Sequence, residues 1–287
     1  MAILLKGKEV ADVLNAYAAR NIDELDRAGI KPGLAIIRVG DKEDDLAYER
    51  GVIKRCDLLG IKTYVHRFPK SVGEDRLLSV IGNLNLDDSV HGVLLLRPLP
   101  DHLDENKICD SLDPEKDVDG ITSMSMAGVY MGSGVGYPPC TAQACMEILN
   151  HYGVRTAGKK AVIIGRSLVI GKPLAMMLMA GDATVTICHS KTVDLGRTAR
   201  DADILVAALG RGGVVGRDFF RAGQTVIDVG INVGRNGTIS GDVDFEEANR
   251  TVAAITPVPG GVGAVTTAVI AGHVVRAAGR SLLRSRE

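Results

Sequence analysis

The sequence predicts an α/β fold of two domains, each built on a parallel β-sheet that is covered by helices. Short apolar segments alternate with amphipathic helical patterns along both halves of the chain, which is typical of parallel sheets. A stretch rich in glycine and proline, residues 132–139, separates the two halves. The length of 287 residues suits two ordinary domains. Hydrophobic residues make up 46% of the chain, which is enough to fill their cores.

The first predicted domain begins with an amphipathic helix over residues 9–28, because its apolar side chains recur at helical spacing. The pattern then predicts a strand at 34–39, a helix at 41–59, a strand at 61–68, a helix at 74–84, a strand at 90–96 and, after a loop that reaches Gly120, a helix at 141–152. This order favours a parallel sheet with helices on both faces.

The second predicted domain is a Rossmann-type, doubly wound nucleotide domain. Its strands are expected at 161–164, 183–188, 202–209 and 225–229, with shorter segments at 241–245 and 253–256 and a last helix at 262–278. We assign residues 141–263 to this domain and residues 1–140 to the first, onto which a C-terminal helix, about residues 264–287, packs back. Ligands of such folds bind at the carboxyl ends of the strands, which predicts a cleft between the two domains.

A glycine loop opens the second domain. The strand at 161–164 ends at Gly165, and Pro173 lies in the first turn of the helix that follows. Backbone N–H groups at the N-terminus of such a helix bind a diphosphate. The spacing from Gly165 to Gly171 differs from the G-x-G-x-x-G fingerprint, so this pattern alone is also compatible with an ordinary strand–turn–helix.

The residues after the next strand favour NADP over NAD. NAD sites carry an acidic residue there for the ribose 2′-hydroxyl, whereas this strand is followed by His189, Ser190 and Lys191. Arg166 lies on the phosphate loop itself, and hydroxyls and cations suit a 2′-phosphate. His189 and Lys191 are equally compatible with ordinary surface positions.

Composition and charge argue against several other classes of protein. The net charge of −1 and the absence of tryptophan argue against nucleic-acid binding. The five cysteines are scattered without zinc-site spacing, which predicts reduced thiols, no metal site and a cytoplasmic protein. We expect no export signal and no membrane span, because Pro257, Pro259 and a glycine cluster interrupt the apolar C-terminal region.

A set of short motifs falls in one order along nearly the whole chain. They are Tyr48, Pro98-Leu99-Pro100, KDVDG at 116–120, Pro139-Cys140-Thr141, Gly165-Arg166-Ser167 with Gly171 and Pro173, Cys188-His189-Ser190, Gly230-Ile231-Asn232, GDVD at 241–244 and TPVPGGVG at 256–263. With these motifs the chain resembles the methylenetetrahydrofolate dehydrogenase/cyclohydrolase family. The resemblance implies hydride transfer from 5,10-methylenetetrahydrofolate to NADP, hydrolysis of the methenyl product to 10-formyltetrahydrofolate, and a homodimer joined through the nucleotide domains.

The resemblance also implies roles for individual residues. Tyr48 would stack on the folate and Asp119 would hydrogen-bond its pterin end, since a carboxylate can accept two donors from an aminopyrimidine edge. The other residues implied for the substrate are Leu96, Pro98, Pro259, Gly260 and Gly261. Those implied for NADP are Thr141, Gly165, Arg166, Ser167, Ser190, Gly230 and Ile231.

Several positions depart from the family pattern, with smaller departures at Ala142 and at Ala264-Val265. Val52 stands where bifunctional members carry the lysine that handles protons in the hydrolysis, and Leu96 replaces the glutamine that hydrogen-bonds this lysine. Asp45 replaces a family serine. Lys54 is no substitute, because it lies about 200° around the helix from Val52 at about 100° per residue and should face away from Tyr48.

We therefore expect a working NADP-dependent dehydrogenase with a weak or absent cyclohydrolase, because hydride transfer needs alignment but no protein base. Two alternatives remain open. The altered pocket wall is compatible with a dehydrogenase for another pterin, and the chain is also compatible with a non-catalytic paralogue that binds folate or NADP. The intact nucleotide motifs and Asp119 argue against the second alternative.

Overall fold

The computed structural model describes residues 1–234 and 237–284, and it divides into two compact units. The large-sheet unit consists of residues 1–12 and 141–266, and the small-sheet unit consists of residues 13–140 and the chain from Thr267 onward. The divisions between the units therefore fall within three helices: the first, the last and the one that begins at Cys140.

Strands and helices alternate in both units, as predicted. In chain order the first elements are β1 (Ile3–Leu4), α1 (Gly7–Arg27), β2 (Gly33–Val39), α2 (Glu43–Leu59), β3 (Lys62–Phe68), α3 (Glu74–Leu86), β4 (Gly92–Leu95), α4 (Glu105–Asp110), α5 (Ser123–Met131) and α6 (Cys140–His151). The later elements are β5 (Lys160–Ile164), α7 (Gly171–Ala180), β6 (Thr184–Cys188), α8 (Leu195–Arg200), β7 (Ile204–Ala207), β8 (Thr225–Asp228), β9 (Asn232–Val233), β10 (Ile239–Ser240), α9 (Phe245–Thr251), β11 (Ala254–Ile255) and α10 (Val262–Arg284).

The small sheet is parallel, with strand order β3-β2-β4. Every residue of the central strand β2 is buried, because its apolar run packs inside the unit. The chain order reverses between β2 and β4. In parallel sheets such a switch point opens a crevice at the carboxyl ends of the strands, so the residues that follow β2 and β4 bound the candidate site of this unit.

The large sheet is also parallel, with strand order β1-β11-β8-β7-β5-β6. Strands β7 and β8 are buried along their whole length, as is β5 after its first residue. The chain order reverses between β5 and β7, as in doubly wound nucleotide-binding folds. The predicted two-domain α/β fold with parallel sheets is therefore confirmed.

The first twelve residues lie with the large sheet, which differs from the predicted boundary that keeps residues 1–140 together. β1 pairs in parallel with β11, and the Gly7 N–H donates to the carbonyl oxygen of Gly260 over 2.8 Å. A strand of two residues leaves no alternating pattern in the sequence. The pairing therefore depends on tertiary structure that the sequence pattern does not reveal.

Several short helices were not predicted, among them α4 and α5. α4 lies inside the stretch that the sequence predicts as a loop, and α5 follows shortly after it. Each begins at a capping side chain: Asp104 accepts the Lys107 N–H over 3.1 Å, and the Thr122 hydroxyl accepts the Ser125 N–H over 3.0 Å. Helices of 6 and 9 residues are too short for helical periodicity to stand out in the sequence.

The last helix, α10, begins at the predicted residue 262 and continues to Arg284. Its segment Val262–Ser281 is long and apolar enough to cross a membrane by length and composition. Pro257, Pro259 and most of the glycine cluster precede this helix and do not interrupt it, so the reason given for expecting no membrane span was wrong. Within the protein, 67% of its most apolar stretch is buried, which is also the property of a core helix.

Candidate active site

The candidate substrate site lies at the switch point of the small sheet, and Asp119 is its central charge. Val93 of β4 forms a parallel bridge with Asp117, and the chain then turns, with the Gly120 N–H donating to the Asp117 carbonyl oxygen over 3.2 Å. The buried carboxylate of Asp117 accepts the N–H groups of Ile121 and Thr122 over 2.9 and 2.8 Å, which fixes the turn that follows. Asp119 lies, half-buried, within this turn next to β4.

Several charges act on this carboxyl group. Burial raises the pKa of Asp119 to about 6. The positive charge of Arg97 and hydrogen bonds from Cys140 oppose that rise, whereas the carboxylate of Asp117 adds to it. At neutral pH the group is mainly ionised, and an ionised carboxylate can accept two donors from one planar partner.

Helix α2 brings Tyr48 to the same site. Burial raises the pKa of Tyr48 well above its usual value, and the charges of Asp119 and Cys140 raise it further. The tyrosine hydroxyl therefore stays neutral. One turn later, Val52 is fully buried on the same side of the helix. Lys54 is exposed, as the helical spacing predicts.

Leu96 and Pro98 lie across the switch point from α2, directly after β4. Leu96 is 5% exposed, and its N–H donates to the Ile37 carbonyl oxygen over 2.9 Å. Pro98 is exposed, and its carbonyl oxygen accepts Nζ of Lys42 over 3.0 Å. The side chain at position 96 therefore brings only hydrocarbon to this edge of the sheet.

The sequence prediction missed Arg97, which lies between these two residues. Its Nη1 atom is 3.6 Å from Oε1 of Glu105, and its side chain is 21% exposed. The other carboxylate oxygen of Glu105 accepts the Leu99 N–H over 2.8 Å. The one available signal was a cation placed directly after a buried apolar strand.

Two further charged positions border the substrate site. Nε of Arg38, on β2, donates to Oε2 of Glu49 over 2.7 Å, and this buried pair joins the strand to α2 beside Tyr48. Asp45 is half-buried one turn before Tyr48. Burial raises the pKa of Asp45, and the charge of Lys42 opposes that rise. For the pair of Arg38 and Glu49, the signal in the sequence was a single arginine within an apolar strand.

The large sheet has its own switch point between β5 and β7, and the glycine loop lies there. Gly165 follows β5 with a φ of +137°, and a Cβ atom on it would lie 2.4 Å from the carbonyl oxygen of Ala208, which follows β7. A Cβ atom on Gly171, at the start of α7, would lie 2.1 Å from the carbonyl oxygen of Gly165. Both positions require glycine because main chain packs directly against them.

This loop fits an anionic ligand. Arg166 and Ser167 are exposed, and the Ser167 hydroxyl accepts the Ile170 N–H over 3.2 Å. Among residues 1–234 and 237–284, no acceptor pairs with the backbone N–H groups of Arg166, Ser167 and Gly171. These free donors lie at the positive end of the α7 dipole, an arrangement that suits a diphosphate.

Other residues predicted to bind NADP follow neighbouring strands of the same sheet. Ser190 follows β6 and is exposed. Gly230 and Ile231 follow β8: a Cβ atom on Gly230 would lie 2.3 Å from the carboxyl group of Asp242, and Ile231 is 62% exposed. Parallel strands present their carboxyl ends at one edge, so these residues share an edge with the glycine loop. Thr141 is half-buried near the start of α6.

Two buried acids hold the loops at this edge. Asp228, the last residue of β8, accepts the N–H groups of Gly230 and Asp242 over 3.0 Å each. Asp242 in turn accepts the N–H groups of Gly210 and Arg211 over 2.9 and 2.8 Å. In the described part of the chain, no group of three or more His, Cys, Asp or Glu side chains is arranged to hold a metal ion.

The glycine-rich motif at 256–263 belongs to the large-sheet unit. Pro259 and Gly260 are exposed, and Gly260 has a φ of +100°. A Cβ atom on Gly261 would lie 2.4 Å from the Pro257 carbonyl oxygen. A Cβ atom on Gly263 would lie 3.4 Å from Cδ1 of Ile231, so this motif lies next to the residues after β8.

Comparison with known proteins decides the family. Residues 5–119 match the catalytic domain described as "Tetrahydrofolate dehydrogenase/cyclohydrolase, catalytic domain", and residues 139–282 match the NAD(P)-binding domain of the same family. The chain belongs to the tetrahydrofolate dehydrogenase/cyclohydrolase family. Its large-sheet unit thus contains most of the family's NAD(P)-binding domain, and its small-sheet unit contains most of the catalytic domain.

Members of the tetrahydrofolate dehydrogenase/cyclohydrolase family match this chain along nearly its whole length. The chain is 47% identical to the bifunctional protein FolD of Alkaliphilus oremlandii over 277 residues, which cover 96% of this chain and 97% of that protein. A crystal structure of FolD from Campylobacter jejuni has a TM-score of 0.95 at 39% identity and covers 98% of this chain and 100% of that one. The Trypanosoma brucei dehydrogenase-cyclohydrolase, solved with NADP and an inhibitor, has a TM-score of 0.93 at 32% identity and covers 98% of each chain.

Proposed function

We propose that this chain is an NADP-dependent 5,10-methylenetetrahydrofolate dehydrogenase of one-carbon metabolism. The observation that carries the proposal is that Tyr48 lies close enough to Asp119 for the charge of Asp119 to raise the pKa of Tyr48. An aromatic face suits stacking on the rings of a folate. The carboxylate suits the paired N–H donors of an aminopyrimidine edge. The names of the family's two domains and of its solved members agree with this assignment.

The residues of the large-sheet unit would bind and orient the nucleotide, whose nicotinamide ring accepts the hydride. Arg166 and Ser190 suit a 2′-phosphate, and the free N–H groups of the glycine loop suit the diphosphate. Ile231 offers an exposed apolar side chain to the nucleotide. Gly260 and Gly261 have no side chains, so a ligand can approach their main chain closely. Hydride transfer requires the two reacting carbons about 3–3.5 Å apart and aligned. It requires no protein base at the donor carbon.

We further propose that the cyclohydrolase activity is weak or absent. Hydrolysis requires water to attack the methenyl carbon and a proton to be transferred as the ring opens. Val52 and Leu96 are buried aliphatic residues and can transfer no proton. Arg97 does act on the pocket as a cation, but a guanidinium stays protonated and cannot relay a proton. The word "bifunctional" in the names of the relatives describes the activities of those proteins and not the activity of this chain.

A dehydrogenase that acts on another pterin is a second candidate function. The half-buried Asp45 and the cation at Arg97 change the charge around the pocket, and this observation favours an altered substrate. Titration of the protein with tetrahydrofolate and with a panel of other pterins, followed by fluorescence, separates the two candidates. Tighter binding of another pterin than of tetrahydrofolate would favour the second.

We also propose a cytoplasmic homodimer joined through the nucleotide domains. The likeness to bacterial FolD proteins over nearly the whole chain supports this proposal. Light scattering on the purified protein measures its mass in solution. A mass of one chain, about 30.3 kDa, would contradict the dimer.

A paired assay tests the proposed function. NADP reduction with 5,10-methylenetetrahydrofolate and hydrolysis of 5,10-methenyltetrahydrofolate are measured on one preparation of the unmodified protein and of the Val52→Lys/Leu96→Gln double variant. Lys54→Ala serves as a control for a lysine on the exposed side of α2. We expect the unmodified protein to reduce NADP, and only the double variant to hydrolyse rapidly. Equal hydrolysis rates would contradict the loss of cyclohydrolase, and no NADP reduction would contradict the dehydrogenase.

A further inference from the structure

The peptide bond between Val118 and Asp119 is the centre of the turn that carries the candidate folate carboxylate. The Gly120 N–H donates to the Asp117 carbonyl oxygen over 3.2 Å and closes this turn of four residues. Asp119 is its third residue, so the Val118 carbonyl and the Asp119 N–H belong to one planar peptide unit. Groups that fix the direction of the Val118 carbonyl therefore also fix the backbone from which the Asp119 side chain projects.

Two side chains bind the Val118 carbonyl oxygen. Nδ1 of His273, on α10, lies 2.8 Å from this oxygen, and Sγ of Cys140, at the start of α6, lies 3.1 Å from it. A carbonyl oxygen only accepts hydrogen bonds, so Nδ1 of His273 carries a hydrogen and donates it. The two donors follow Val118 in the sequence by 155 and 22 residues. Tertiary packing, and not the local sequence, therefore holds this peptide unit.

Burial keeps both donors in the protonation state that this arrangement requires. His273 is 3% exposed, and burial together with the charge of Arg276 lowers its pKa to about 3. At neutral pH the imidazole is therefore uncharged, with its single hydrogen on Nδ1. Burial raises the pKa of the Cys140 thiol well above its usual value, so the thiol also keeps its hydrogen.

Main chain packs directly against the last residue of the turn. A Cβ atom on Gly120 would lie 2.4 Å from the carbonyl oxygen of Tyr137 and 2.6 Å from main-chain atoms of Pro138 and Pro139. The ring of Tyr137 also lies 4.9 Å from the ring of His273, measured between centroids, and both residues are buried. The segment before α6 thus encloses the turn together with the histidine that binds its central carbonyl.

We propose that His273 is a positioning residue, which directs the Asp119 carboxylate towards the paired N–H donors of a pterin by holding the Val118 carbonyl, with Cys140 as a second donor. Because His273 is buried and bonded to the main chain, it acts through the turn and not on the reacting atoms. A carboxylate that accepts two donors at once requires a defined direction. The pterin rests on the proposed function, whereas the hydrogen bond to Val118 does not.

Steady-state kinetics separate this role from a merely structural one. His273→Phe keeps a ring against Tyr137 and removes the donor, whereas His273→Asn offers Nδ2 near the position of Nδ1. We expect His273→Phe to raise the KM for 5,10-methylenetetrahydrofolate about fivefold, the ratio that corresponds to one hydrogen bond, with little change in kcat. His273→Asn should recover most of the affinity. Val275→Ala, a buried position about 200° around α10 from His273, should lower the melting temperature and leave the KM unchanged.

Selective NMR labelling detects the hydrogen bond itself, without turnover. With 13C at valine carbonyls and 15N at aspartate, a correlated signal comes only from the three Val-Asp peptides of the sequence, which begin at Val118, Val193 and Val243. Asp119→Asn assigns the signal of Val118. In His273→Phe this carbonyl resonance should move to lower ppm, because the carbonyl loses a donor, and the other two should stay in place. In His273→Asn it should move less.

The failure of this proposal and the failure of the proposed function give different results. An unmoved Val118 resonance in folded His273→Phe overturns the role of His273, and so does a KM that stays unchanged or rises equally in Val275→Ala. A lack of NADP reduction by the unmodified protein overturns the dehydrogenase, and the Kd for tetrahydrofolate, measured by fluorescence, then replaces the KM. If circular dichroism finds His273→Phe unfolded, His273→Leu takes its place, since it also lacks a donor.

Discussion

Arg38 and Glu49 form a buried ion pair that ties strand β2 to helix α2. Nε of Arg38 lies 2.7 Å from Oε2 of Glu49, and each side chain is 5% exposed. Arg38 also binds Asp41, and the second carboxylate oxygen of Glu49 accepts Nη2 of Arg67 over 3.3 Å. The pair therefore fixes the first turns of α2, and with them Tyr48, against the end of the strand.

Removal of one partner should be far more costly than removal of both. Arg38→Leu leaves the buried carboxylate of Glu49 poorly compensated, and we expect it to lower the free energy of unfolding by about 3–5 kcal/mol. The double variant Arg38→Leu/Glu49→Leu should recover most of this loss, since apolar replacement of a buried pair is often neutral. Urea unfolding followed by circular dichroism measures both. Arg67→Ala, whose side chain is 63% exposed, should cost less than about 1 kcal/mol. If Arg38→Leu lowers the free energy of unfolding by no more than about 1 kcal/mol, the pair does not anchor α2.

The glycine loop should not tolerate a methyl group at Gly171. A Cβ atom there would lie 2.1 Å from the Gly165 carbonyl oxygen, so the main chain would have to move. Overpacking of this kind costs about 1–3 kcal/mol, and because the displaced loop is the proposed phosphate site we expect about a tenfold or larger rise in the Kd for NADPH. Fluorescence titration measures this Kd. Gly216→Ala is a matched control, because a Cβ atom at that position meets nothing within 4 Å, and equal Kd values for the two variants would contradict the prediction.

Substrate binding should weaken in acid. The pKa of Asp119 is raised by burial to about 6, so the carboxyl group gains a proton as the pH falls below that value. A protonated carboxyl group loses part of its capacity to accept two donors. From pH 7 to pH 5 the ionised fraction falls about tenfold, and the KM for 5,10-methylenetetrahydrofolate should rise by about the same factor. In Asp119→Asn the KM should exceed that of the unmodified protein at pH 7 by more than about tenfold. It should no longer change between pH 7 and pH 5. A KM of the unmodified protein that stays flat between pH 7 and pH 5 would exclude this role for Asp119.

The sequence predicted those parts of the molecule that local pattern determines. The apolar runs of β2, β4, β5 and β8 predicted the parallel sheets, and the glycine spacing predicted the loop after β5. The resemblance also implied that Asp119 belongs to the substrate site, and the bridge between Val93 and Asp117 brings the segment just before Asp119 next to β4.

Local sequence patterns could not predict the charge pairs within the fold. Arg97 and Arg38 each follow or interrupt an apolar run, and nothing in the neighbouring sequence identifies their partners. Glu105 and Glu49 lie on helices that read as ordinary amphipathic or loop sequence, and only the packing of those helices on the sheet pairs them with the arginines. The short strand β1 was missed for a related reason, since its pairing with β11 joins residues far apart in the sequence.

The bond from the Gly7 N–H to the Gly260 carbonyl oxygen has a practical consequence for handling the protein. β1 lies at the edge of the large sheet, and the Ala2 N–H donates to the carbonyl oxygen of Asn249 over 2.8 Å. A purification tag fused directly to Met1 would therefore pull on an edge strand that is joined, through the Gly7 hydrogen bond, to the glycine-rich motif at 256–263. A flexible spacer before Met1, or removal of the tag before kinetics, would keep that strain out of the measured hydride-transfer rates.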